Sequence, residues 1–211
     1  MGKLSDAILA LDKATVLHLV QQDVDAGRDP LELVDEARQG LEAVGEKFES
    51  GEFFLMELMR AAQIFQSAAA LINPRIKERY GGIETKGRVL LGTVAGDIHD
   101  LGKNIVKILL ECRGMEVVDL GVDVPAAKFV EKMKELKPDV VGMSALLTAS
   151  IPQMKATIQA IQAAGLRQSA KVIVGGGIVG EVKLVEVNAD HATSDANQGV
   201  KKIEQWIDAA S

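Results

Sequence analysis

Apolar side chains follow a helical spacing through about the first 80 residues of the chain. One such face consists of Val34, Ala37, Leu41, Val44 and Phe48. Asp29-Pro30 provides an N-cap and a first-turn proline, and Gly51 provides a stop. A further helix pattern runs from about Phe54 to Ile72 and ends at Asn73-Pro74, and residues 5–26 hold one or two shorter helices. The pattern predicts a bundle of four to five helices.

After residue 87 the pattern changes to short apolar runs separated by helical stretches. The runs are 89–94, 117–120, 140–143 and 172–174, and the helical stretches lie near 102–113, 126–137, 151–164, 178–187 and 196–209. Buried parallel strands appear as continuous apolar runs, and helices form the crossovers between them. The second half is therefore predicted to be a doubly wound, flavodoxin-like α/β domain with four or five parallel strands.

A linker separates the two halves. The segment GGIETKG at 81–87 interrupts the helical periodicity with glycines and polar residues. We place the boundary within it, so that the helical domain spans 1–84 and the α/β domain spans 85–211.

Composition and charge exclude several classes of function. The chain has 24 basic and 30 acidic residues, a net charge of −6, and 47% apolar residues. The apolar content excludes disorder, and the acidic balance argues against nucleic acid as a partner. No apolar run approaches the length of ~18 residues that spans a bilayer, and the N-terminus lacks a signal-peptide pattern. We therefore expect no membrane partner. Because the single cysteine, Cys112, cannot form an internal disulfide, nothing requires an oxidising compartment, and we expect a cytoplasmic protein.

The loop after the first predicted strand, Gly96-Asp97-Ile98-His99-Asp100-Leu101-Gly102-Lys103, holds the candidate chemistry, since ligands bind at the carboxyl ends of parallel strands. A phosphate-binding loop needs four residues between its glycines and a hydroxyl after the lysine. Here five residues separate Gly96 from Gly102, and Asn104 replaces the hydroxyl. A hydrolytic metal site needs further ligands, and His18 and His191 are the only other histidines.

Two interpretations of His99 remain. It is either a loop histidine paired with a carboxylate, or a ligand to one large, preassembled metal cofactor. In the second case Asp97 accepts the proton of the other imidazole nitrogen, which fixes the tautomer and strengthens the ligand. A cofactor that brings its own equatorial ligands needs only one histidine from the protein.

The spacing of three elements favours the cofactor. The motif D-x-H-x-x-G at 97–102 is followed by 41 residues (103–143), by Ser144-Ala145-Leu146, by 28 residues (147–174), and by Gly175-Gly176. This arrangement resembles the cobalamin-binding domain of methionine synthase, methylmalonyl-CoA mutase and the corrinoid proteins of methyltransferase systems. In the first half, G-x-x-F-x-x-G-x-x-F-L at 45–55 is similar to the helical cap of methionine synthase and corrinoid proteins, with Met56 where that family usually has proline.

The resemblance implies roles for particular residues. His99 replaces the lower base of the cofactor as the axial cobalt ligand, Asp97 is its hydrogen-bonding partner, and Ser150 completes the relay. Phe48 and Leu55 lie over the upper face of the corrin. The remaining cofactor contacts implied are Gly96, Ile98, Asp100, Gly102, Ser144, Leu146, Thr148, Gly175, Gly176 and Ala196.

The glycines after the fourth predicted strand also fit a second motif. Gly175, Gly177 and Gly180 spell the dinucleotide pattern G-x-G-x-x-G. That pattern belongs to an opening βαβ unit, whereas these glycines follow the fourth strand, which argues against a nicotinamide site.

The resemblance further implies a non-catalytic methyl carrier that binds cobalamin, as methylcobalamin and cob(I)alamin, in the base-off/His-on mode. Its partners would be a substrate-specific methyltransferase, an acceptor methyltransferase using tetrahydrofolate or a thiol, and a reductive activase, with the 81–87 linker as a hinge. The methyl donor, whether methoxyarene, methylamine, methanol or methylthiol, is not specified by these residues. Two alternatives are an adenosylcobalamin-dependent mutase subunit, which would be attached to a barrel, and a cobalamin-sensing regulator, which would carry a basic DNA-binding segment.

Overall fold

The computed structural model describes residues 2–80, 85–177 and 187–210. The chain divides into two compact units. One contains the chain up to Glu84 together with Cys112–Gly114, and the other contains Thr85–Glu111 and the chain from Met115 onwards. Linker residues 81–84, Gly180 and all but the last residue of the helix predicted near 178–187 lie outside the described residues.

The first unit is a bundle of helices, as predicted. The helices are α1 (Lys3–Leu9), α2 (Lys13–Asp25), α3 (Pro30–Glu49) and α4 (Leu55–Tyr80). Asp29 caps α3 by accepting a hydrogen bond from the Leu31 backbone N–H at 2.9 Å. Gly51 follows the end of α3 with a φ of +79°, a conformation that favours glycine. The core is formed by apolar residues from all of these helices, including Leu4, Ile8, Val16, Val20, Leu33, Leu41, Ile64 and Ile72.

The predicted end of the fourth helix at Asn73-Pro74 is wrong, because α4 continues through Pro74 to Tyr80. A proline inside a helix removes one backbone hydrogen bond and disfavours the helix there. Two contacts beyond the proline offset this cost. Ile76 is buried on the same helix face as Ile72, and the Tyr80 hydroxyl donates a hydrogen bond to Asp29 at 2.6 Å. Burial of an apolar side chain therefore outweighs the local preference of proline.

The second unit is the predicted doubly wound α/β domain. Its strands are β1 (Arg88–Thr93), β2 (Glu116–Asp119), β3 (Val140–Ser144), β4 (Lys171–Gly175) and β5 (His191–Thr193). Its described helices are α5 (Leu101–Cys112), α6 (Ala126–Leu136), α7 (Ile151–Ala163) and α8 (Ala196–Asp208). The strands are all parallel in the order β2-β1-β3-β4-β5, which is the flavodoxin-like order.

The strand order determines where a ligand can bind. The chain leaves β1 for β2 on one side and then returns to β3 on the other, so the sheet changes winding direction next to β1. Crevices in open α/β sheets form at such points, beyond the carboxyl ends of the strands. The loops that follow β1, β2 and β3 meet there. In the part of the chain that the structure describes, no helix is both long and apolar enough to cross a membrane.

Candidate functional site

The loop after β1 turns sharply and presents His99. Gly96 has a φ of +79°, and the Asp97 backbone N–H donates to the Val94 carbonyl at 3.2 Å. The Thr93 hydroxyl donates to the His99 carbonyl at 3.0 Å and closes the turn against the end of β1. Asp97 is fully buried beneath this turn, whereas the His99 side chain is 47% exposed.

The Asp97 carboxylate joins the loop after β1 to the loop after β3. Its Oδ1 atom accepts hydrogen bonds from the His99 backbone N–H at 3.0 Å and lies 2.7 Å from His99 Nδ1. Its Oδ2 atom accepts from the backbone N–H groups of Leu146 at 2.7 Å and Leu147 at 3.1 Å. The buried Ser150 hydroxyl donates a longer bond to the same oxygen at 3.4 Å.

These contacts keep Asp97 ionised although it is buried. Burial alone raises the pKa of a carboxyl group, because it penalises the charged form. Here the backbone N–H groups of His99, Leu146 and Leu147, together with the imidazole, hold the pKa of Asp97 well below its ordinary value. Asp97 is therefore a permanent hydrogen-bond acceptor near neutral pH.

The ionised carboxylate determines the tautomer of His99. A carboxylate can only accept, so His99 Nδ1 carries the proton that lies between the two groups. In the neutral imidazole, Nε2 then has a free lone pair. Because half of the side chain is exposed, this lone pair is available to a metal centre outside the loop.

Five large apolar side chains lie exposed on the loops after β1, β2 and β3 and at the start of α5. We call them the apolar collar: Ile98, Leu101, Val122, Leu146 and Leu147. Ile98 is 73% exposed, which is unusual for a side chain of this size beside a buried carboxylate. A contiguous exposed apolar patch is typical of a ligand-binding surface.

A cavity of about 100 Å³ opens at the carboxyl edge of the sheet. Its lining includes Gly102, Lys103, Gly142, Ser144, Gly175, Gly176, Thr193 and Ala196. Two of the lining glycines permit close approaches of neighbouring protein atoms. At Gly176, where φ is +111°, a Cβ atom would lie 1.9 Å from the Ala145 carbonyl oxygen. At Gly142, a Cβ atom would lie 2.4 Å from Leu91 Cδ2.

The predicted residues of the α/β unit fall into two groups. Asp97, His99, Leu146 and Ser150 are joined by the carboxylate network. Gly102, Ser144, Gly175, Gly176 and Ala196 line the cavity. Four others lie nearby without joining either group. Gly96 precedes Asp97 in the turn and donates its backbone N–H to Asp123 at 2.7 Å. Thr148 is exposed at the start of a short 3₁₀ turn (Thr148–Ser150), Ile98 belongs to the apolar collar, and Asp100 accepts a hydrogen bond from the Asn104 amide at 3.0 Å.

The predicted residues of the helical unit lie on two different helices. Phe48 is in the last turn of α3 and Leu55 begins α4, because α3 ends before Gly51. Met56 is exposed as the second residue of α4 and leaves the helix regular. Phe48 and Leu55 are both half-buried, and their contact with a cofactor stays a prediction.

Sequence reasoning missed two residues of the site. No sequence motif assigns a role to Lys103. The residue is buried and lines the cavity, and its Nζ atom donates a hydrogen bond to Asp119 Oδ2 at 2.5 Å. Asp123 accepts a hydrogen bond from the Gly96 backbone N–H at 2.7 Å. The turn-forming run Gly121-Val122-Asp123-Val124-Pro125 is the only local signal for Asp123.

The arrangement fits a large metal cofactor better than a bare ion. Among residues 2–80, 85–177 and 187–210, no group of three or more His, Cys, Asp or Glu side chains could hold a metal ion. One oriented imidazole, an apolar surface around it and a cavity beside it suit a group that brings most of its own ligands.

Comparisons with known proteins agree with this geometry. The family model of the B12 binding domain matches residues 87–196, and a second model, also described as a B12 binding domain, matches residues 2–73. The trimethylamine corrinoid protein of Methanosarcina barkeri is 38% identical over 204 residues, which cover 96% of this chain and 94% of that protein.

Two solved structures are also similar. A cobalamin-binding protein from Desulfitobacterium hafniense DCB-2 is 37% identical, with a TM-score of 0.70 and 96% of both chains covered. The methanol:cobalamin methyltransferase complex MtaBC from Methanosarcina barkeri matches with 27% identity and a TM-score of 0.83, over 97% of this chain and 78% of that one. The resemblance inferred from the sequence motifs is confirmed, and the chain belongs to the family of B12-binding corrinoid proteins.

Proposed function

We propose that this chain is a corrinoid methyl carrier, with His99 as the lower ligand to cobalt. The observation that carries the proposal is the imidazole itself, which is half exposed and oriented by a buried, ionised carboxylate. Similarity to a trimethylamine corrinoid protein and to a methanol:cobalamin methyltransferase complex supports a carrier rather than a mutase subunit or a sensor.

When bound, cobalamin supplies a cobalt atom that takes up and gives up a methyl group. Among the residues of this chain, His99 would hold the cobalt. His99 Nε2 offers its lone pair in the ligated state, while Asp97 keeps the proton of Nδ1 in place. When His99 is not ligated, the imidazole stays hydrogen-bonded through Nδ1 to Asp97 Oδ1. The Ser150 hydroxyl, 3.4 Å from Oδ2, helps to hold the carboxylate through this change.

The cavity and the apolar collar would contact different parts of the cofactor. The cavity, about 100 Å³ and lined by Gly175, Gly176 and Ser144, suits the narrow nucleotide tail of a base-off cofactor. The collar would cover the lower edge of the broad corrin ring. Burial of its exposed side chains contributes about 25 cal/mol for each Å² removed from water.

A carrier of this kind requires partners. We propose a substrate-specific methyltransferase as methyl donor, an acceptor methyltransferase that uses tetrahydrofolate or a thiol, and a reductive activase. The relatives make methylamines and methanol the first donors to test. The cytoplasm suits a chain whose single cysteine excludes an internal disulfide.

Isotope labelling of the protein's histidines tests the axial ligand. The chain is produced with ¹⁵N-histidine, reconstituted with unlabelled cobalamin and examined as Co(II) by electron paramagnetic resonance. Coordination by His99 converts the nitrogen triplet of each cobalt line into a doublet, and His99→Ala abolishes the doublet. His18→Ala and His191→Ala are the controls, since these are the other histidines of the chain. A triplet in the labelled protein would show that the cofactor's own base is bound, and would refute His99 ligation.

A methyl-transfer assay tests the carrier role. The reduced, reconstituted protein is incubated with ¹³C-labelled trimethylamine or methanol, alone and with the matching methyltransferase. We expect a protein-bound methyl group only when the methyltransferase is present. Demethylation by this chain alone would overturn the carrier role without affecting the assignment of His99.

A further inference from the structure

We propose that Asp123, in the loop after β2, is a positioning residue that holds the Asp97–His99 pair in the orientation needed for ligation. The inference rests on the proposed role of His99. It adds the loop after β2 to a carboxylate network that otherwise joins the loops after β1 and β3.

Asp123 holds the Gly96-Asp97 dipeptide from both ends. Its Oδ1 atom accepts a hydrogen bond from the Gly96 backbone N–H at 2.7 Å. Its own backbone N–H donates to the Asp97 carbonyl at 2.9 Å. The two bonds therefore fix the backbone on which the Asp97 carboxylate is carried.

The segment around Asp123 is itself anchored to β1. The Thr93 N–H donates to the Gly121 carbonyl at 2.9 Å, and the Val124 N–H donates to the Thr93 carbonyl at 3.0 Å. Asp123 lies between these bonds with a φ of +51°, a left-handed conformation that side chains other than Asn and Asp seldom adopt. A strained residue held between two regular hydrogen bonds is typical of a constrained functional position.

The two ends of Asp97 are thus fixed by different loops. Asp123 fixes its backbone, while Leu146 and Leu147 fix its carboxylate. Without the Asp123 side chain, the Gly96 N–H loses its acceptor, and the turn that carries Asp97 becomes freer to move. Oδ1 then no longer holds His99 Nδ1 in one place, and the direction of Nε2 is no longer determined.

Asp139 provides a matched control at the opposite edge of the sheet. Its Oδ2 accepts from the Arg88 backbone N–H at 2.7 Å, and its N–H donates to the Arg88 carbonyl at 2.9 Å. Like Asp123, Asp139 thus accepts one backbone bond through its carboxylate and donates one through its N–H, although both go to a single residue. It lies at the amino ends of the strands, away from His99. Asp139→Ala therefore removes a comparable carboxylate without disturbing the site.

The main variant is Asp123→Gly, because glycine accepts the positive φ and removes only the side chain. Asp123→Asn is the conservative variant, since its amide oxygen still accepts the Gly96 N–H and asparagine tolerates the left-handed conformation. Each variant is measured as cofactor-free protein and after loading with cobalamin.

In the cofactor-free protein, we measure hydrogen exchange of the Gly96 amide and the tautomer of His99 by ¹⁵N NMR. Asp123→Gly is expected to exchange the Gly96 amide about tenfold faster and to turn a single Nδ1–H tautomer into a mixture. Asp123→Asn and Asp139→Ala are expected to stay within about twofold of the wild type in exchange and to keep the single tautomer.

In the loaded protein, we measure the fraction of cobalt coordinated by histidine with the ¹⁵N label described above. We expect a loss for Asp123→Gly, rescue by Asp123→Asn and no change for Asp139→Ala. A wild-type tautomer and coordination in Asp123→Gly, or the same losses in Asp139→Ala, would overturn the proposal. If the wild type itself shows no histidine coordination, the proposed function fails, and the cofactor-free measurements still decide whether Asp123 orients His99.

Discussion

Asp97 and His99 are joined twice through one atom: Asp97 Oδ1 lies 2.7 Å from Nδ1 of the His99 ring and 3.0 Å from its backbone nitrogen. The acceptor is fully buried, whereas the His99 side chain is 47% exposed. Solvent therefore reaches the imidazole but not the group that orients it. The following predictions concern this network and the cavity beside it.

Asp97→Asn should destabilise the α/β unit by about 3 kcal/mol, because one amide oxygen cannot accept all of the bonds that two carboxylate oxygens accept. Ser150→Ala should cost less than about 1 kcal/mol, since its bond to Asp97 is 3.4 Å long. Urea unfolding of the two variants and the wild type measures both values. Equal losses would mean that the Ser150 bond matters as much as the backbone bonds.

The stability that Asp97 provides should depend on pH in the acid range. Its pKa is lower in the folded state than the ordinary value of 3.8, so the contribution is complete above that value. As the pH falls further, the unfolded chain binds a proton that the folded chain does not, and the contribution is progressively lost. The difference in unfolding free energy between wild type and Asp97→Asn should stay constant from neutral pH to about 4.5 and then narrow. A difference independent of pH would contradict this.

Gly176→Ala and Gly175→Ala should differ strongly in stability. At Gly176 the added Cβ would lie 1.9 Å from the Ala145 carbonyl oxygen at a φ of +111°, which should cost more than about 3 kcal/mol. At Gly175 the nearest atom would be the Thr193 carbonyl oxygen at 3.4 Å, an ordinary contact, with an expected cost of about 1 kcal/mol or less. Thermal unfolding of the pair tests the difference. A stable Gly176→Ala variant would contradict the close approach.

Lys103→Met should cost about 3 kcal/mol, because it leaves the largely buried Asp119 carboxylate without its ammonium partner 2.5 Å away. The double variant Lys103→Met/Asp119→Asn should lose less than the sum of the single variants. A double-mutant cycle in urea measures this coupling. Additive losses would show that the two side chains act independently.

Most of the fold follows from local patterns in the sequence. Continuous apolar runs predicted the positions of β1 to β4, and the central strands β1, β3 and β4 are largely buried. The short edge strand β5 is only half-buried, and no apolar run marked it. Pro74 misled the prediction because its effect is local, whereas the burial of Ile76 depends on the other helices of the bundle. The end of α3 near Gly51 was predicted correctly because the positive φ is required at that residue itself.

The site was predictable where the motif is continuous and not where loops meet. Asp97 and His99 lie two residues apart, so their pairing follows from spacing. Lys103 and Asp123 depend on partners that only the folded sheet brings near, namely Asp119 for the first and Gly96 for the second. Neither partner has a fixed spacing that the sequence could reveal.

The exposure of Ile98 and its apolar neighbours separates affinity from orientation. Removing such side chains from water is favourable whatever the orientation of a broad, flat ligand on them. A nitrogen lone pair, in contrast, bonds along one direction only. In the proposed cobalamin site, the apolar surface that attracts the cofactor would thus be chemically independent of the His99 nitrogen that ligates cobalt. On that proposal, a chain without the His99 imidazole should still retain cobalamin, although without a histidine ligand to cobalt.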